Sequence, residues 1–293
     1  MKTITFFSEK GGVGKSSFSI MYGSWLYHIH GVKVGLADFN FRIQNYRKQE
    51  IYKREEFLKD HPDSGLKPYD PNESWPIVTL NLREIEELRS EGRAYPHAVW
   101  LREECTKGRL KDCDVVICDF PGSLSGQEFL DNMYLRQIDL VVVPTERDSM
   151  TTHSVLKHMP LMKKGVEQSC CFVNKANVTL RNFRNTYIRY ATEMKNCGVP
   201  MLPDMISYSE RMMTIDKVDI IRSTFGFPDF SRPEFGETSD LGINNLFIDV
   251  TRLLAKGSEK FSDGKTDLSF VDRLQKTDDG RQFKGSSFPE FEI

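Results

Sequence analysis

Residues 8–17 read SEKGGVGKSS, a glycine-rich run between a predicted strand and a predicted helix. The strand is the apolar, β-branched segment 2–7, and residues 18–27 follow a helical pattern. Glycines in such a loop let backbone N–H groups converge on an anion, and the helix N-terminus adds a partial positive charge. This order predicts a phosphate-binding loop, in which Lys15 reaches the β- and γ-phosphates and the Ser16 hydroxyl ligates Mg²⁺.

The loop departs from the common pattern G-x-x-x-x-G-K-[ST] at its first glycine, where Glu9 stands. It fits K-G-G-x-G-K-[ST] instead, and this variant resembles the deviant Walker A motif of the ParA/MinD family of ATPases, with Lys10 as the second lysine. The resemblance implies a P-loop NTPase of the α/β class that binds ATP and Mg²⁺. The expected nucleotide contacts are Gly11, Gly12, Val13, Gly14, Lys15, Ser16 and Ser17.

Composition limits the classes of protein to consider. A chain of 293 residues suits one large α/β domain or two small ones, and a net charge of −2 provides no global attraction to nucleic acid. The sequence contains no apolar run of about eighteen residues and no recognisable signal peptide. The six cysteines lack C-x-x-C or metal-ligand spacing, which predicts reduced, mostly buried thiols in a cytoplasmic protein.

A second strand, residues 33–37, ends at the sequence Asp38-Phe39-Asn40. A carboxylate just beyond a parallel strand faces the ligand crevice of an open α/β sheet. The resemblance implies an Asp-x-Asp motif here, whose first Asp contacts the Mg²⁺ hydration shell and whose second orients the attacking water. Asp38 matches the first, but Asn40 replaces the second, and an amide cannot act as a base. Because phosphoryl transfer depends mainly on positioning and charge, we predict intact nucleotide binding with slow ATP hydrolysis.

Residues 113–122 form an apolar run that ends at Asp119 and continues into a Pro-Gly turn. The run resembles the Walker B strand and switch II of the same family. The resemblance implies that Asp119 holds Mg²⁺ through water and that the Gly122 N–H senses the γ-phosphate. It also assigns Asn174, at the end of a later strand, to the adenine edge, and Pro203 to the adenine pocket.

The segment 177–197 combines an apolar helical face with basic side chains on the rest of its circumference. A basic outer face is often only solvated helix, and it would also suit non-specific contact with DNA phosphates. Both interpretations stay open. The candidate DNA-binding residues are Arg181, Arg184, Arg189 and Lys195.

Segment 42–75 is polar and irregular, and we expect it at the rim of the nucleotide crevice as a lid or partner surface. Further helices are predicted over 82–93, 98–110, 124–137, 149–164, 177–197, 207–222 and 241–254. Pro160 is expected to kink or divide the fourth of these. His153 and His158 have no partner pattern and are predicted to be surface histidines.

These patterns predict an α/β domain with a mostly parallel sheet and helices on both faces. The domain is expected over 1–256, followed by a polar, flexible tail over 257–293 with one helical turn near 268–274. The tail lacks the sustained period and basic charge of a membrane-binding helix, so no membrane contact is expected.

The resemblance implies an ATP-dependent homodimer in which Lys10 reaches across to the partner's phosphates. The first hypothesis is a ParA-type switch in DNA partition or in plasmid or mobile-element maintenance, acting with a small centromere-binding or mobilisation protein. A second hypothesis is an ATP-dependent metabolic enzyme of the dethiobiotin synthetase or cobyrinate amidase type. A third is a regulatory ATP-binding protein with little hydrolysis, which Asn40 would suit.

Overall fold

In the described part of the chain, seven strands form one sheet in which every pair of neighbours is parallel. The computed structural model describes residues 1–64, 68, 75–80, 82–93, 95–122, 137–165, 168–176, 183–207, 243–257 and 266–276. The strands are β1 (Lys2–Phe6), β2 (Val34–Asp38), β3 (Ile77–Thr79), β4 (Val115–Asp119), β5 (Leu140–Thr145), β6 (Gln168–Ala176) and β7 (Met201–Ser207). Their order across the sheet is β3-β2-β4-β1-β5-β6-β7.

Helices cover both faces of this sheet. They are α1 (Lys15–Ser24), α2 (Ile43–Asp60), α3 (Leu82–Ser90), α4 (Pro96–Thr106), α5 (Ser149–Gly165), α6 (Phe183–Asn196) and α7 (Ile243–Lys256). A π-helical turn, Trp25–Ile29, extends α1, and a 3₁₀ turn, Ser269–Arg273, follows α7. None of the described helices has the length and apolar character needed to cross a bilayer.

Two hydrophobic cores lie on opposite faces of the sheet. The helices α3, α4, α5 and α6 pack on one face, whereas α1, its π-helical turn and α7 pack on the other. The central strands β1, β4 and β5 are buried along their whole length, as expected for parallel strands that are covered on both faces. Successive side chains of a strand point to opposite faces of the sheet. Cys171 therefore lies in the first core and its neighbour Cys170 in the second. The predicted α/β class, with a parallel sheet and helices on both faces, is confirmed.

Several boundaries differ from those predicted. Helix α5 runs through Pro160 as one helix. Helix α4 ends at Thr106, earlier than predicted, and a turn begins at Lys107. Helix α6 begins at Phe183, and residues 177–182 lie outside the described residues, as do most of the helices predicted over 124–137 and 207–222. The polar segment 42–75 contains the long helix α2. The 3₁₀ turn lies where a helical turn was predicted in the tail, and residues 277–293 lie outside the described residues.

The register of the sheet brings two carboxylates and the glycine-rich loop together at the carboxyl ends of the strands. Strands β2 and β4 are neighbours, and Asp38 is paired in register with Asp119. Strand β1 lies on the other side of β4, so the loop that follows Phe6 emerges beside these two carboxylates. The carboxyl ends of parallel strands are where ligands bind in open α/β sheets.

Candidate functional site

The glycine-rich loop joins β1 to α1 through two left-handed residues. Gly12 has φ of 75° and Gly14 has φ of 93°, a region that favours glycine. A Cβ atom on Gly14 would also lie 3.1 Å from the Phe18 ring and 3.3 Å from Asn174 Nδ2. Both the backbone angle and the close packing therefore require glycine at position 14.

Aromatic packing holds the start of α1 against the sheet. Phe18 stacks on Phe6 of β1 with ring centroids 5.8 Å apart, and its ring meets the edge of Phe172 of β6 at 4.9 Å. All three rings are fully buried. Because Phe18 lies in the first turn of α1, these contacts fix the helix N-terminus at the end of the loop, where an anion would be favoured.

Lys15 is buried at the start of α1. Its Nζ donates a hydrogen bond to the backbone oxygen of Lys10 at 2.8 Å, and a Cβ atom on Gly122 would lie 2.9 Å from it. Burial lowers the pKa of Lys15, the Asp119 charge opposes this shift and the Arg42 charge adds to it. A desolvated ammonium beside a glycine-rich loop can bind an anion strongly.

Asp119 and Ser16 form the second half of this site. The Ser16 hydroxyl donates to Asp119 Oδ2 at 2.9 Å, whereas Asp119 Oδ1 is buried and has no hydrogen-bond partner among the described residues. Burial raises the pKa of Asp119 to about 7, the Ser16 hydrogen bond opposes this shift and the Asp38 charge adds to it. A hydroxyl beside a buried carboxylate with an unpartnered oxygen fits a hard divalent cation such as Mg²⁺.

Asp38 caps helix α2. Its Oδ1 accepts from the Asn40 N–H at 3.0 Å, and its Oδ2 accepts from the N–H groups of Ile43 and Gln44 at 3.0 and 3.3 Å. Burial raises the pKa of Asp38, and these backbone hydrogen bonds oppose the shift. The Asn40 amide donates to Asp119 Oδ2 at 3.5 Å. Asp38 therefore shapes the loop that brings Asn40 to Asp119, and its contact with a metal hydration shell stays a prediction.

The second lysine of the loop is bound to acidic groups of its own chain. Lys10 Nζ lies 2.7 Å from Glu146 Oε2 and 2.9 Å from Asp148 Oδ2, both in the loop after β5. Burial lowers the pKa of Lys10, but its hydrogen bonds to the two carboxylates raise it overall. Burial also acts to raise the pKa of Asp148, but hydrogen bonds from Thr151 and Lys10 lower it to about 2.

Strand β6 anchors the loop from the opposite side. Asn174 Nδ2 donates to the Val13 oxygen at 2.8 Å, and Lys175 Nζ donates to the Gly12 oxygen at 2.6 Å. The C=O and N–H of a trans peptide point in opposite directions. Anchoring these carbonyls therefore turns the N–H groups of Val13 and Gly14 away from β6. Asn174 thus holds the phosphate loop, and its predicted contact with adenine has to use its remaining N–H and oxygen.

Other predicted residues lie elsewhere. Pro203 is inside the edge strand β7, before its carboxyl end, so it does not belong to the loop after that strand. Of the candidate DNA-binding residues, Arg189 and Lys195 are exposed on α6, and Arg189 Nε pairs with Glu193 Oε1 at 3.0 Å. Arg181 and the Arg184 side chain lie outside the described residues.

Sequence reasoning missed four residues that contact the loop, namely Glu146, Asp148, His158 and Lys175. His158 was predicted at the surface, but its side chain is only 5% exposed and its Nε2 lies 3.0 Å from Glu9 Oε1. A signal for its burial is present, because the core residues Val155, Met159 and Met162 place position 158 on the same helical face. The other three act through contacts between distant parts of the chain, for which the local pattern provides no signal.

No protein-family profile matches the sequence, and no curated protein matches it. Several solved structures, however, match the fold of this chain. MinD cell division protein from Aquifex aeolicus is 16% identical with a TM-score of 0.52, and the match covers 89% of this chain and 100% of that one. A putative plasmid partition protein from Borrelia burgdorferi B31, bound to AMPPNP, is 20% identical with a TM-score of 0.51, covering 85% and 98%.

A third similar structure is cobyrinic acid a,c-diamide synthase from Mycobacterium smegmatis, with bound ADP and magnesium. It is 20% identical with a TM-score of 0.50, and the match covers 75% of this chain and 92% of that one. The chain therefore has the same fold as MinD and the plasmid partition protein, and its resemblance to the ParA/MinD family is confirmed at the level of the fold.

Proposed function

We propose that this chain is an ATP-binding switch of the ParA/MinD type, which binds Mg²⁺-ATP at the carboxyl ends of β1, β2 and β4. The observation that carries the proposal is the convergence of Lys15, Ser16 and Asp119 around a glycine-rich loop, with a second lysine, Lys10, in the same loop. Nucleotide phosphates need several cations and N–H donors at once, and few other ligands do.

The residues around Asp119 suit a metal-nucleotide complex. Ser16 and Asp119 would hold Mg²⁺, with Asp119 acting through water, and the metal when bound supplies positive charge that neutralises phosphate oxygens. The buried and unpartnered Asp119 Oδ1 supports this assignment. In the structure, Lys15 Nζ is bonded to a loop carbonyl, and on ATP binding it would exchange that oxygen for phosphate oxygens, which are stronger acceptors.

Hydrolysis is proposed to be slow because Asn40 stands where the resembled family has a water-orienting carboxylate. The amide can orient water through its oxygen but cannot accept a proton. In addition, the Asn40 side-chain N–H donates to the Asp119 carboxylate, so the amide points toward the proposed metal site. Positioning and charge stabilisation by Lys15 and Mg²⁺ remain, so turnover is reduced rather than abolished.

ATP is proposed to hold two copies of the chain together. Lys10 is paired with Glu146 and Asp148 in its own subunit. Its ammonium would leave these two carboxylates for the triphosphate of a second copy, whose denser negative charge compensates for the lost pairs. Hydrolysis and phosphate release would then return Lys10 to its own acidic residues and separate the subunits.

DNA partition, or maintenance of a plasmid or mobile element, is the proposed setting. The fold shared with a plasmid partition protein and the exposed basic residues of α6 support it. The partners would be non-specific DNA and a small centromere-binding or mobilisation protein. An ATP-dependent metabolic enzyme is the second candidate, because the cobyrinic acid synthase has the same fold with bound ADP and magnesium. Such an enzyme does not require Lys10 to act across a dimer.

The test is calorimetric titration with Mg²⁺-ATPγS, followed by size-exclusion chromatography with light scattering. Wild-type protein should bind the analogue and become dimeric only in its presence. Lys10→Ala should still bind the analogue as a monomer but fail to dimerise, whereas Lys15→Ala should lose binding. A Lys10→Ala protein that dimerises normally would favour the metabolic enzyme. A wild-type protein that does not bind ATPγS would refute both candidates. Adding DNA to the ATPγS-bound dimer then tests the proposed role in DNA partition.

A further inference from the structure

Glu9 stands where a phosphate loop usually carries glycine, and its carboxylate lies against helix α5. Ser154 Oγ donates to Glu9 Oε2 at 3.1 Å, and His158 Nε2 lies 3.0 Å from Glu9 Oε1. Ser154 and His158 are four positions apart in α5, so they share one face of the helix. Both carboxylate oxygens therefore contact a single helix face.

The imidazole of His158 is buried at this contact. Within the described part of the chain, neither ring nitrogen makes an aligned hydrogen bond, and Nε2 lies at ion-pair distance from Glu9 Oε1. A carboxylate only accepts hydrogen bonds, so an attractive contact requires a hydrogen on Nε2. Burying a polar ring costs free energy unless a polar partner compensates. Here the compensating partner belongs to the phosphate loop, whereas the neighbouring buried side chains of α5 are apolar.

The same helix also binds the next residue of the loop. Asp148, which precedes the first turn of α5, accepts from Lys10 Nζ at 2.9 Å. The Thr151 N–H and hydroxyl donate to its two oxygens at 2.9 and 2.6 Å and hold it in place. Consecutive loop residues, Glu9 and Lys10, are thus tied to one helix. If Lys10 leaves for phosphate, the contacts of Glu9 remain as the tether.

We infer that His158 is a positioning residue for the phosphate loop. Through Glu9 it fixes the first half of the loop against α5, while Asn174 and Lys175 fix the second half from β6. Position 9 is therefore a second anchor of the loop rather than a defect in the motif. The effect on nucleotide binding rests on the proposed function, but the effect on the loop itself does not.

The first measurement needs no nucleotide. Hydrogen exchange of residues 8–14 is compared in nucleotide-free wild type, His158→Leu, Glu9→Ala and the double variant, with His153→Leu as the control because His153 is exposed on the same helix. Both single variants should speed exchange in the loop by about tenfold, because the loss of a contact to a charged group lowers the free energy of local opening. The double variant should exchange no faster than Glu9→Ala alone, because Glu9→Ala already removes the contact with His158 together with the one with Ser154. His158→Gln retains an N–H donor and should restore most of the protection.

The second measurement separates positioning from general stability. His158→Leu and Glu9→Ala should raise the KM for Mg²⁺-ATP by about tenfold and change kcat less, because the lost contact shapes the cradle rather than the reacting atoms. Wild-type exchange and KM in both variants, or additive effects in the double variant, would overturn the inference. If His158→Leu does not fold, Glu9→Ala decides, since Glu9 is 28% exposed. If wild-type protein binds no ATP, the proposed function fails, and the exchange comparison still decides the role of His158.

Discussion

Asn40 has an NH₂ group in place of one oxygen of the carboxylate that the resembled family carries at this position. The Asn40 amide donates to Asp119 Oδ2 at 3.5 Å, so in the structure it is attracted to the carboxylate beside it. An aspartate at position 40 would place two negative charges in the same space, which a bound cation could tolerate. We therefore expect asparagine at position 40 to slow ATP hydrolysis.

Asn40→Asp should raise kcat for ATP hydrolysis by about tenfold or more, because a carboxylate can orient water and accept its proton. KM should change little, since Lys15 and the loop N–H groups are untouched. Steady-state ATPase assays at saturating Mg²⁺ measure both constants. Asn45→Asp is the control, because it adds the same charge at an exposed position of α2. An unchanged or lower kcat in Asn40→Asp would contradict the role given to Asn40.

Asp148, just before helix α5, connects that helix to Lys10, the lysine that we propose acts in dimerisation. This carboxylate accepts from the Thr151 N–H and hydroxyl and also from Lys10 Nζ. The first two bonds start the helix, and the third holds the lysine in its own subunit. A change at Asp148 therefore acts on the helix start and on Lys10 together.

Asp148→Asn should flatten the acid dependence of stability. The folded pKa of Asp148, about 2, lies below that of an unfolded aspartate, about 3.9. Its charge therefore contributes stability that is fully present above about pH 4 and is lost as the pH falls toward 2. Urea unfolding between pH 2 and 5 should show a smaller loss for the variant, while asparagine preserves the helix cap. Asp63→Asn changes an exposed aspartate and is the control, so its free energy of unfolding should differ from that of wild type by the same amount at every pH. The same constant difference for Asp148→Asn would contradict the assignment.

How much of the site could be predicted differs between elements. Lys15, Ser16 and Asp119 could be predicted because each lies at the end of a parallel strand or the start of the following helix, and strand ends share one edge. The anchors from α5 and β6 could not, because they depend on the lateral packing of elements that are far apart in the sequence. The cap formed by Asp38 was missed for a different reason. The polar segment from Arg42 has no clear period and suits either a solvated helix or a loop, so no helix start was predicted at Ile43.

Residues 266–276 contact distant parts of the fold, away from the carboxyl ends of β1, β2 and β4. Residues 266–276 cross the helices of the second core, and Phe270 stacks on His30 with ring centroids 4.5 Å apart. At one end Thr266 Oγ1 donates to the Asp114 oxygen at 3.3 Å, just before β4. At the other end Lys276 Nζ donates to Asp249 of α7 at 2.6 Å and to Asp204 of β7 at 3.3 Å. This segment thereby links a central strand with the edge of the sheet.

Lys276→Met should destabilise the whole fold, and more at pH 8 than at pH 5.5. Burial raises the pKa of Asp204 to about 7, the Lys276 charge opposes this shift and the Asp249 charge adds to it. An acid with a raised folded pKa favours folding at low pH and loses that contribution as the pH rises through 7. Without Lys276, the cost of ionising Asp204 beside Asp249 is larger, and this cost is felt at pH 8 rather than at pH 5.5. We expect a loss of about 1–2 kcal/mol at pH 8, limited by the partial exposure of the lysine, and clearly less at pH 5.5. Urea unfolding at both pH values measures the loss. Lys256→Met, at an exposed position of α7, is the control and should show neither loss. Equal losses at the two pH values would mean that Lys276 acts through packing rather than through its charge.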